Sequence, residues 1–383
     1  MRWPNHAVET VRPSRFFPPF CPWAECSAHR SRGKGFHRHG YYKKRTSCVR
    51  IPRFYCLTCK RTCSRQTFST TYYLKRPELL LWTAAGLVAC SAHRQIARSF
   101  HCSKTSITRM AERLGRHALL FQARALAFLP PLSEAVVHDH FEAFIGRQDH
   151  ALGIGTAVGA NSRFVYDLDP APHRGSGRRP DRRLDVQMKA QVSRPYVTSI
   201  RRTLRALISH VSGTMLVLKA DGRQDYHAAI REEGLGSRIE MRAYPNPVRG
   251  PKGSPRSLEA IRRDRAMAPT DHLHQMYRHS CADHKRETIA FGRRLESIVG
   301  RGFLMAVWKN FIKSRSDKRR DPSTPAMHLG MTDGAWRWER ILSRRLFPGR
   351  QDLPESWARL YEKRWSRRLP ELQRNKRPRT LTA

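Results

Sequence analysis

Six of the nine cysteines, Cys21, Cys26, Cys48, Cys56, Cys59 and Cys63, fall within the first 63 residues, and this clustering constrains the amino-terminal fold more than any other feature. The two-residue gap of "CLTC" (Cys56, Cys59) lets both thiolates reach one tetrahedral ion from a tight knuckle, and "CPWAEC" (Cys21, Cys26) supplies a second, looser one. Between them, "GFHRHGYYKKRTSCVRIPRFYC" carries aromatic and β-branched residues around a glycine, the pattern of a hairpin that brings the knuckles together. The expectation is a zinc ribbon over residues 1–70. It would hold one structural Zn²⁺ on Cys21, Cys26, Cys56 and Cys59, with Cys48, Cys63 and the pair His37/His39 as spare ligands. Such a segment lacks a sufficient core and gains folding free energy from the ion.

Charge narrows the partner. The 383 residues carry 73 Lys+Arg against 31 Asp+Glu, a formal charge of +42, which points to a polyanion. The longest apolar run, "LLLWTAAGLVAC" (Leu79 to Cys90), is too short to span a bilayer and reads as a buried helix, so nucleic acid is expected and a membrane is not. The first residues have no continuous apolar stretch followed by a small-residue cleavage site, which predicts a cytoplasmic, nucleoid-associated protein.

After that helix, "SAHRQIARSFHCSKTSITRMAERLGRH" reads as two helices joined by a short turn. Ser103 caps the second, and Ile107, Met110 and Leu114 repeat at amphipathic spacing. This is the pattern of a helix-turn-helix over residues 71–129, with Lys104, Thr105, Ser106 and Arg109 as DNA-contacting candidates. A plain helical bundle shares the spacing, but a basic ribbon next to it favours DNA.

Carboxylates are scarce, so their positions matter. "AVVHDHF" is apolar before Asp139, as in a buried strand that ends at a site. Two further apolar runs flanking "GANS" predict a hairpin, and three such strands with an acid on the first begin an RNase H-like sheet. "YVTSIRRTLRALISHV" is an amphipathic helix and leads to "TMLVLKAD", a strand ending at Asp221. A strand–helix–strand unit favours parallel pairing, which would make Asp139 and Asp221 neighbours able to hold divalent ions. The third acid is expected on a helix spanning "DHKRETIAFGRRLESI", where Ile289, Leu295 and Ile298 form the buried stripe. Glu287 is the first choice there and Glu296 its rival. His138 and His140 project opposite Asp139 in an extended strand, together with Glu142. Arg286, Arg293 and Arg294 are placed to hold phosphates, or simply form a solvated basic face.

The succession of ribbon, helix-turn-helix, "VVHDHFEAF", "LVLKAD", "HKRETIAFGRRLESI" and "TPAMHLGMTDGAW" resembles bacterial insertion-sequence transposases of the DDE type, in order over nearly the whole chain. Cys63, where an aromatic residue is expected, departs from the pattern. The resemblance implies an α/β chain with an RNase H-like core over residues 130–312, preceded by ribbon and helix-turn-helix domains and followed by a basic, partly disordered region over 313–383. It implies that Asp139, Asp221 and Glu287 bind two Mg²⁺ (or Mn²⁺) ions for cleavage and strand transfer of double-stranded DNA at element ends and target. Pairing two ends implies a homodimer or higher oligomer on DNA. The rival expectations are a non-catalytic DNA-binding regulator or decayed relic, and a metal-dependent nuclease without strand joining. Trp336, Trp338, Trp357 and Trp365 in the last region are expected to pack short helices or stack on DNA.

Overall fold

The computed structural model describes residues 16–31, 35–43, 49–146, 151–172, 194–211, 213, 215–248, 250–251, 253–285, 288–316 and 321–367. Near the amino terminus β1 (Phe36–Lys43), β2 (Arg50–Cys56) and β3 (Thr62–Ser64) form an antiparallel sheet in that order. Its core is aromatic, built on Phe36, Phe54 and Phe68. Phe347 joins it from far along the chain, edge-on to Phe20 at 5.2 Å.

Helices α1 (Leu79–Val88), α2 (His93–Ser99) and α3 (Lys104–Leu126) follow. The Ser103 hydroxyl accepts from the Ser106 N–H at 3.1 Å, capping α3 at the position the sequence marks. Ile107, Met110 and Leu114 are buried, so the amphipathic stripe faces inward.

The main sheet contains β4 (Val136–Phe144), β5 (Ala151–Gly159), β6 (Val165–Pro172), β7 (Leu216–Ala220) and β8 (Ile239–Ala243), in the order β6-β5-β4-β7-β8. The first three strands are mutually antiparallel, whereas β7 runs parallel to β4 and to β8. Between β6 and β7 lies α4 (Pro195–Ile208), and between β7 and β8 lies α5 (Gln224–Glu232). Two longer helices, α6 (Leu258–Ser280) and α7 (Leu295–Phe311), complete a mixed α/β arrangement.

Alternation along β4 divides the helices between the two faces. His138 meets Tyr226 of α5 and His140 meets Tyr196 of α4. On the other face, Phe141 packs on His274 and Tyr277 of α6, and Leu168 approaches Gly302 of α7. Covered on both faces, β5 is buried at all its positions. Its glycines make room for this: a Cβ at Gly153 would come 3.0 Å from the Tyr196 ring, and one at Gly155 would come 2.9 Å from the Ser199 hydroxyl and 3.0 Å from His138 Nε2.

The segment "DHKRETIAFGRRLESI" departs from expectation. Helix α7 starts only at Leu295; Ala282–His284 form one 3₁₀ turn, and residues 288–294 are irregular. Leu295 and Ile298 are buried as expected, but Ile289 is fully exposed. The Thr288 hydroxyl accepts from the Ala290 N–H at 2.9 Å, a local bond that competes with helix. Gly292 is covered so closely by Ile298 that a Cβ there would lie 2.2 Å from its side chain, while its carbonyl accepts from Gly146 at 2.8 Å.

Short helices α8 (Pro325–His328), α9 (Trp338–Ile341), α10 (Glu355–Tyr361) and α11 (Arg364–Arg367) end the described chain. Trp336, Trp357 and Trp365 are buried, so these three indoles pack within the protein. The Trp357 Nε1–H donates to Asp167 at 3.0 Å, and the Thr203 hydroxyl donates to the other oxygen of that carboxylate at 2.6 Å. Neighbouring Asp169 is paired with Arg202 at 2.9 Å. Burial, and then Asp169, push the Asp167 carboxyl up to about 7. Among the described residues no helix is long and apolar enough to cross a membrane.

Helices α3 and α7 approach each other closely at two glycines. A Cβ at Gly115 of α3 would lie 3.0 Å from the Gly300 Cα of α7 and 3.1 Å from its carbonyl. Gly115→Val should therefore lower stability by about 1–3 kcal/mol through forced helix separation, read as a reduced midpoint in urea, while exposed Arg231→Gln leaves the midpoint unchanged.

Candidate active site and metal centre

Four thiols converge at the amino-terminal sheet. Cys21 and Cys26 lie on the loop before β1, Cys56 ends β2 and Cys59 sits in the following turn, and their sulfurs all lie within 4.8 Å of one another. Cys21 Sγ is 3.6 Å from Cys59 Sγ, and Cys26 Sγ is 4.0 Å from Cys56 Sγ. Four thiolates at about 2.3 Å from a tetrahedral ion stand about 3.8 Å apart, so the cluster can hold a metal ion.

Backbone geometry positions the ligands. The Lys60 N–H donates to the Cys56 carbonyl at 2.9 Å, and Lys60 takes a left-handed conformation (φ 59°) that closes the knuckle. His29 bonds the Cys21 carbonyl at 2.7 Å. Burial raises the Cys21 and Cys26 thiols. At Cys56 burial acts the same way, but the backbone N–H groups of Cys59 and Thr58 offset it and bring the thiol down to about 7. Cys63 is buried outside the four-thiol group, His37 and His39 are exposed, and Cys48 lies outside the described residues.

The sheet brings Asp139 and Asp221 together. The parallel ladder pairs Val136 with Leu218 and Val137 with Lys219. Continued two residues further, the same register sets Asp139 opposite Asp221, which is the first residue beyond β7. Asp139 Oδ1 accepts from the His140 N–H at 2.7 Å, and Asp221 Oδ1 accepts from the Arg223 N–H at 3.2 Å. Asp139 is mostly buried, its side chain 22% exposed. Burial first, and then the charge of Asp221, push its carboxyl up to about 7.

Helix α6 covers this face and contributes groups that the sequence pattern did not single out. His274 places Nδ1 3.8 Å from Asp139 Oδ2, and its Nε2 is 2.8 Å from the Thr156 hydroxyl. Burial lowers the His274 pKa to about 3, so the ring is neutral and can present a lone pair or a single N–H. One turn earlier on α6, Asp271 is close enough for its charge to raise the Asp139 pKa, and it is paired with Arg263. The signal available in advance was the three-residue spacing of Asp271 and His274, which puts both on one helical face.

Glu287 and Arg286 lie outside the described residues. The residues flanking them run along β4: His284 stacks on Phe141 at 5.7 Å, and Phe291 meets Phe144 at 5.4 Å. Glu296 sits in the first turn of α7. Arg293 and Arg294 are exposed, and Arg294 stands 3.9 Å from Glu112. Lys104, Thr105 and Arg109 are exposed near the start of α3, with Ser106 half-buried behind the Ser103 cap.

On the opposite face, His138 Nδ1 lies 2.9 Å from the Tyr226 hydroxyl, and burial lowers its pKa to about 3. Glu142 receives a hydrogen bond from the Tyr196 hydroxyl. These groups are therefore separated from Asp139 by the sheet itself.

No protein-family model matches the chain, and a search of curated proteins returns no match.

Two outcomes follow. Cys56→Ser should reduce bound zinc from about one ion per chain to near zero by elemental analysis, because a three-thiolate remnant leaves one tetrahedral position unfilled. For Asp139, a folded-state pKa near 7 against an ordinary value of about 3.9 means that its favourable contribution is complete below about pH 3.9 and is lost as pH rises through 7. Asp139→Asn, isosteric and uncharged, should therefore be more stable than the wild type at pH 8 without added Mg²⁺, by at most about 4 kcal/mol. The two should be nearly equal at pH 4, measured by urea unfolding of zinc-loaded protein.

Proposed function

We propose that the chain is a DNA transposase of the DDE type, with an RNase H-like core that cleaves DNA strands at element ends and joins them to a target. The observation that carries this reading is the register-matched placement of Asp139 and Asp221 on adjacent parallel strands. The strand order, with three antiparallel strands followed by two that extend the sheet in parallel from the first, supports an RNase H-like core. A four-cysteine cluster, a helix-turn-helix with exposed basic residues and a formal charge of +42 support a DNA substrate.

The donor set fits hard divalent cations, because carboxylate oxygens suit Mg²⁺ or Mn²⁺. Asp139 is destabilised as an anion by burial and by Asp221, a repulsion that bound cations relieve. Asp139 and Asp221 would hold the ions, with Glu287 as the expected third ligand and Asp271, whose charge acts on Asp139, as a second candidate. When bound, such ions lower the pKa of an attacking water or 3′-hydroxyl and stabilise the leaving oxygen. Asp139 is held by its own strand and Asp221 by the turn that closes on Arg223, so both carboxylates are oriented before substrate arrives. His274 bonds the Thr156 hydroxyl, which in turn donates to the Asp139 backbone carbonyl at 3.0 Å. Lys104, Thr105, Ser106 and Arg109 would contact DNA, and Arg293 and Arg294 would bind its backbone. Joining two element ends requires at least two copies on DNA.

The test is a cleavage assay with Mg²⁺ on duplexes carrying the ends of the element that encodes the chain. Asp139→Asn and Asp221→Asn should each lower cleavage at least a thousandfold while DNA retention in a gel-shift assay is unchanged. Parallel assays of Glu287→Gln and Asp271→Asn identify the third acid as the one whose neutralisation has an equal effect. A wild-type chain that binds the ends yet leaves them intact under all these conditions would mark a DNA-binding regulator instead.

A further inference from the structure

Where the segment after β3, helix α3 and the carboxy-terminal helices meet, a cavity of about 120 Å³ is lined by Arg113, Arg116 and Arg345 together with Thr70, Tyr72 and Tyr361. No Asp or Glu belongs to its wall. Among the described residues none of the three guanidinium groups has a carboxylate partner. Glu112, next to Arg113 on α3, is already engaged by Lys363 at 2.6 Å and stands 3.9 Å from Arg294. Three like charges therefore share one opening with no counter-ion from the protein, an arrangement that costs free energy until an anion enters.

Two of the three side chains are held in place by hydrogen bonds. Arg113 donates to the Thr70 carbonyl at 2.8 Å. Arg345 donates to the Thr67 carbonyl at 3.4 Å, and its guanidinium lies 5.1 Å from the Tyr72 ring centre and 4.9 Å from that of Phe347. Arg116, exposed at the rim, lies 5.8 Å from the Tyr361 ring centre. Burial lowers the Arg113 pKa, and the charges of Arg345 and Arg116 lower it further. His117, also in the wall, adds no charge: burial lowers its pKa to about 4.

We propose that this cavity is a binding site for a phosphate group, held by the guanidinium groups of Arg113, Arg116 and Arg345. The volume exceeds the roughly 30 Å³ that one water occupies in the liquid. Guanidinium forks match the paired oxygens of a tetrahedral oxyanion, and three of them offset more than a single negative charge. The phosphate comes from a DNA backbone or from a free phosphate, and the two share this chemistry. A bound phosphate would tie the ribbon's exit segment, α3 and the carboxy-terminal helices to one anion. The site is independent of strand cleavage: it shares no residue with the Asp139–Asp221 face, so either reading can fail without the other.

The experiment is calorimetric titration of inorganic phosphate into the full zinc-loaded chain near 0.15 M NaCl, where surface charges separated by more than about 8 Å are screened. One saturable site is expected, weakened at least tenfold by Arg116→Gln and by Arg345→Gln and unchanged by Arg231→Gln, an exposed arginine on α5. Among the described residues the Arg116 side chain makes no hydrogen bond to backbone, so Arg116→Gln carries the test if Arg345→Gln fails to fold, as judged by its melting curve. A short duplex of arbitrary sequence is then added. If it displaces phosphate and itself binds more weakly to Arg116→Gln, the source is the DNA backbone. If duplex and phosphate bind together, the source is free phosphate. Absence of saturable phosphate uptake by the wild type, or an equal loss in Arg231→Gln, overturns the proposal.

Discussion

The structure depends on one pairing, the parallel ladder between β4 and β7. Val136 and Val137 match Leu218 and Lys219, and the juxtaposition of Asp139 and Asp221 follows from that register. A slip of one residue would turn the side chains of one strand to the other face, sending Asp221 toward α4 and α5 while Asp139 stayed beneath α6. The register is enforced by burial. Val136, Val137, Leu216, Leu218 and Ala220 are all buried, and displacing them would expose apolar surface at about 25 cal/mol per Å². Hydrophobic packing thus brings two carboxylates together against their own repulsion.

Two other acids of the main core have cationic partners. Asp169 has Arg202, and Asp283 lies 3.4 Å from Arg301 and 3.0 Å from His284. Arg301 and His284 outweigh the burial penalty at Asp283, bringing its carboxyl down to about 2. Among the described residues Asp139 has no ion pair with arginine or lysine; His274, kept neutral by burial, stands 3.8 Å away. In a chain with more than twice as many basic as acidic residues, a carboxylate that escapes a cationic partner does so because the fold withholds one. Arg263, whose charge acts on Asp139, is spent on Asp271 and stands 3.7 Å from Asp264.

Much of this was legible in the sequence wherever a local signal and a packing requirement agreed. Cysteine spacing located the four-thiol cluster because knuckle geometry is set by a few consecutive residues. Ser103 marked the start of α3 because a cap is a local hydrogen bond, and the apolar runs before Asp139 and Asp221 marked β4 and β7, although β4 continues through Asp139 to Phe144 instead of ending there. The reading failed where two periodicities overlapped. "DHKRETIAFGRRLESI" has helical spacing, yet the Thr288 turn and the close approach of Ile298 to Gly292 hold residues 288–294 out of the helix, and Ile289 points to solvent. Asp271 and His274 were missed because "APTDHLHQM" contains Pro269, a residue that ordinarily ends a helix, whereas α6 continues through it.

Long-range contacts account for what no window of sequence could reveal. Phe347 completes the aromatic core of the first sheet, Trp357 binds Asp167 on β6, and Thr70 donates to the carbonyl of Leu342 at 2.7 Å. The carboxy-terminal helices therefore reach both the amino-terminal sheet and the main sheet, and a region that reads from composition as a basic appendage becomes the seam joining them. A cluster of arginines at such a seam has a different meaning from one on an open surface. On a surface, water and salt screen the charges; in a cleft walled by Leu80, Leu114, Leu120 and Leu346, the same charges act through a medium of lower permittivity and hold an anion more firmly.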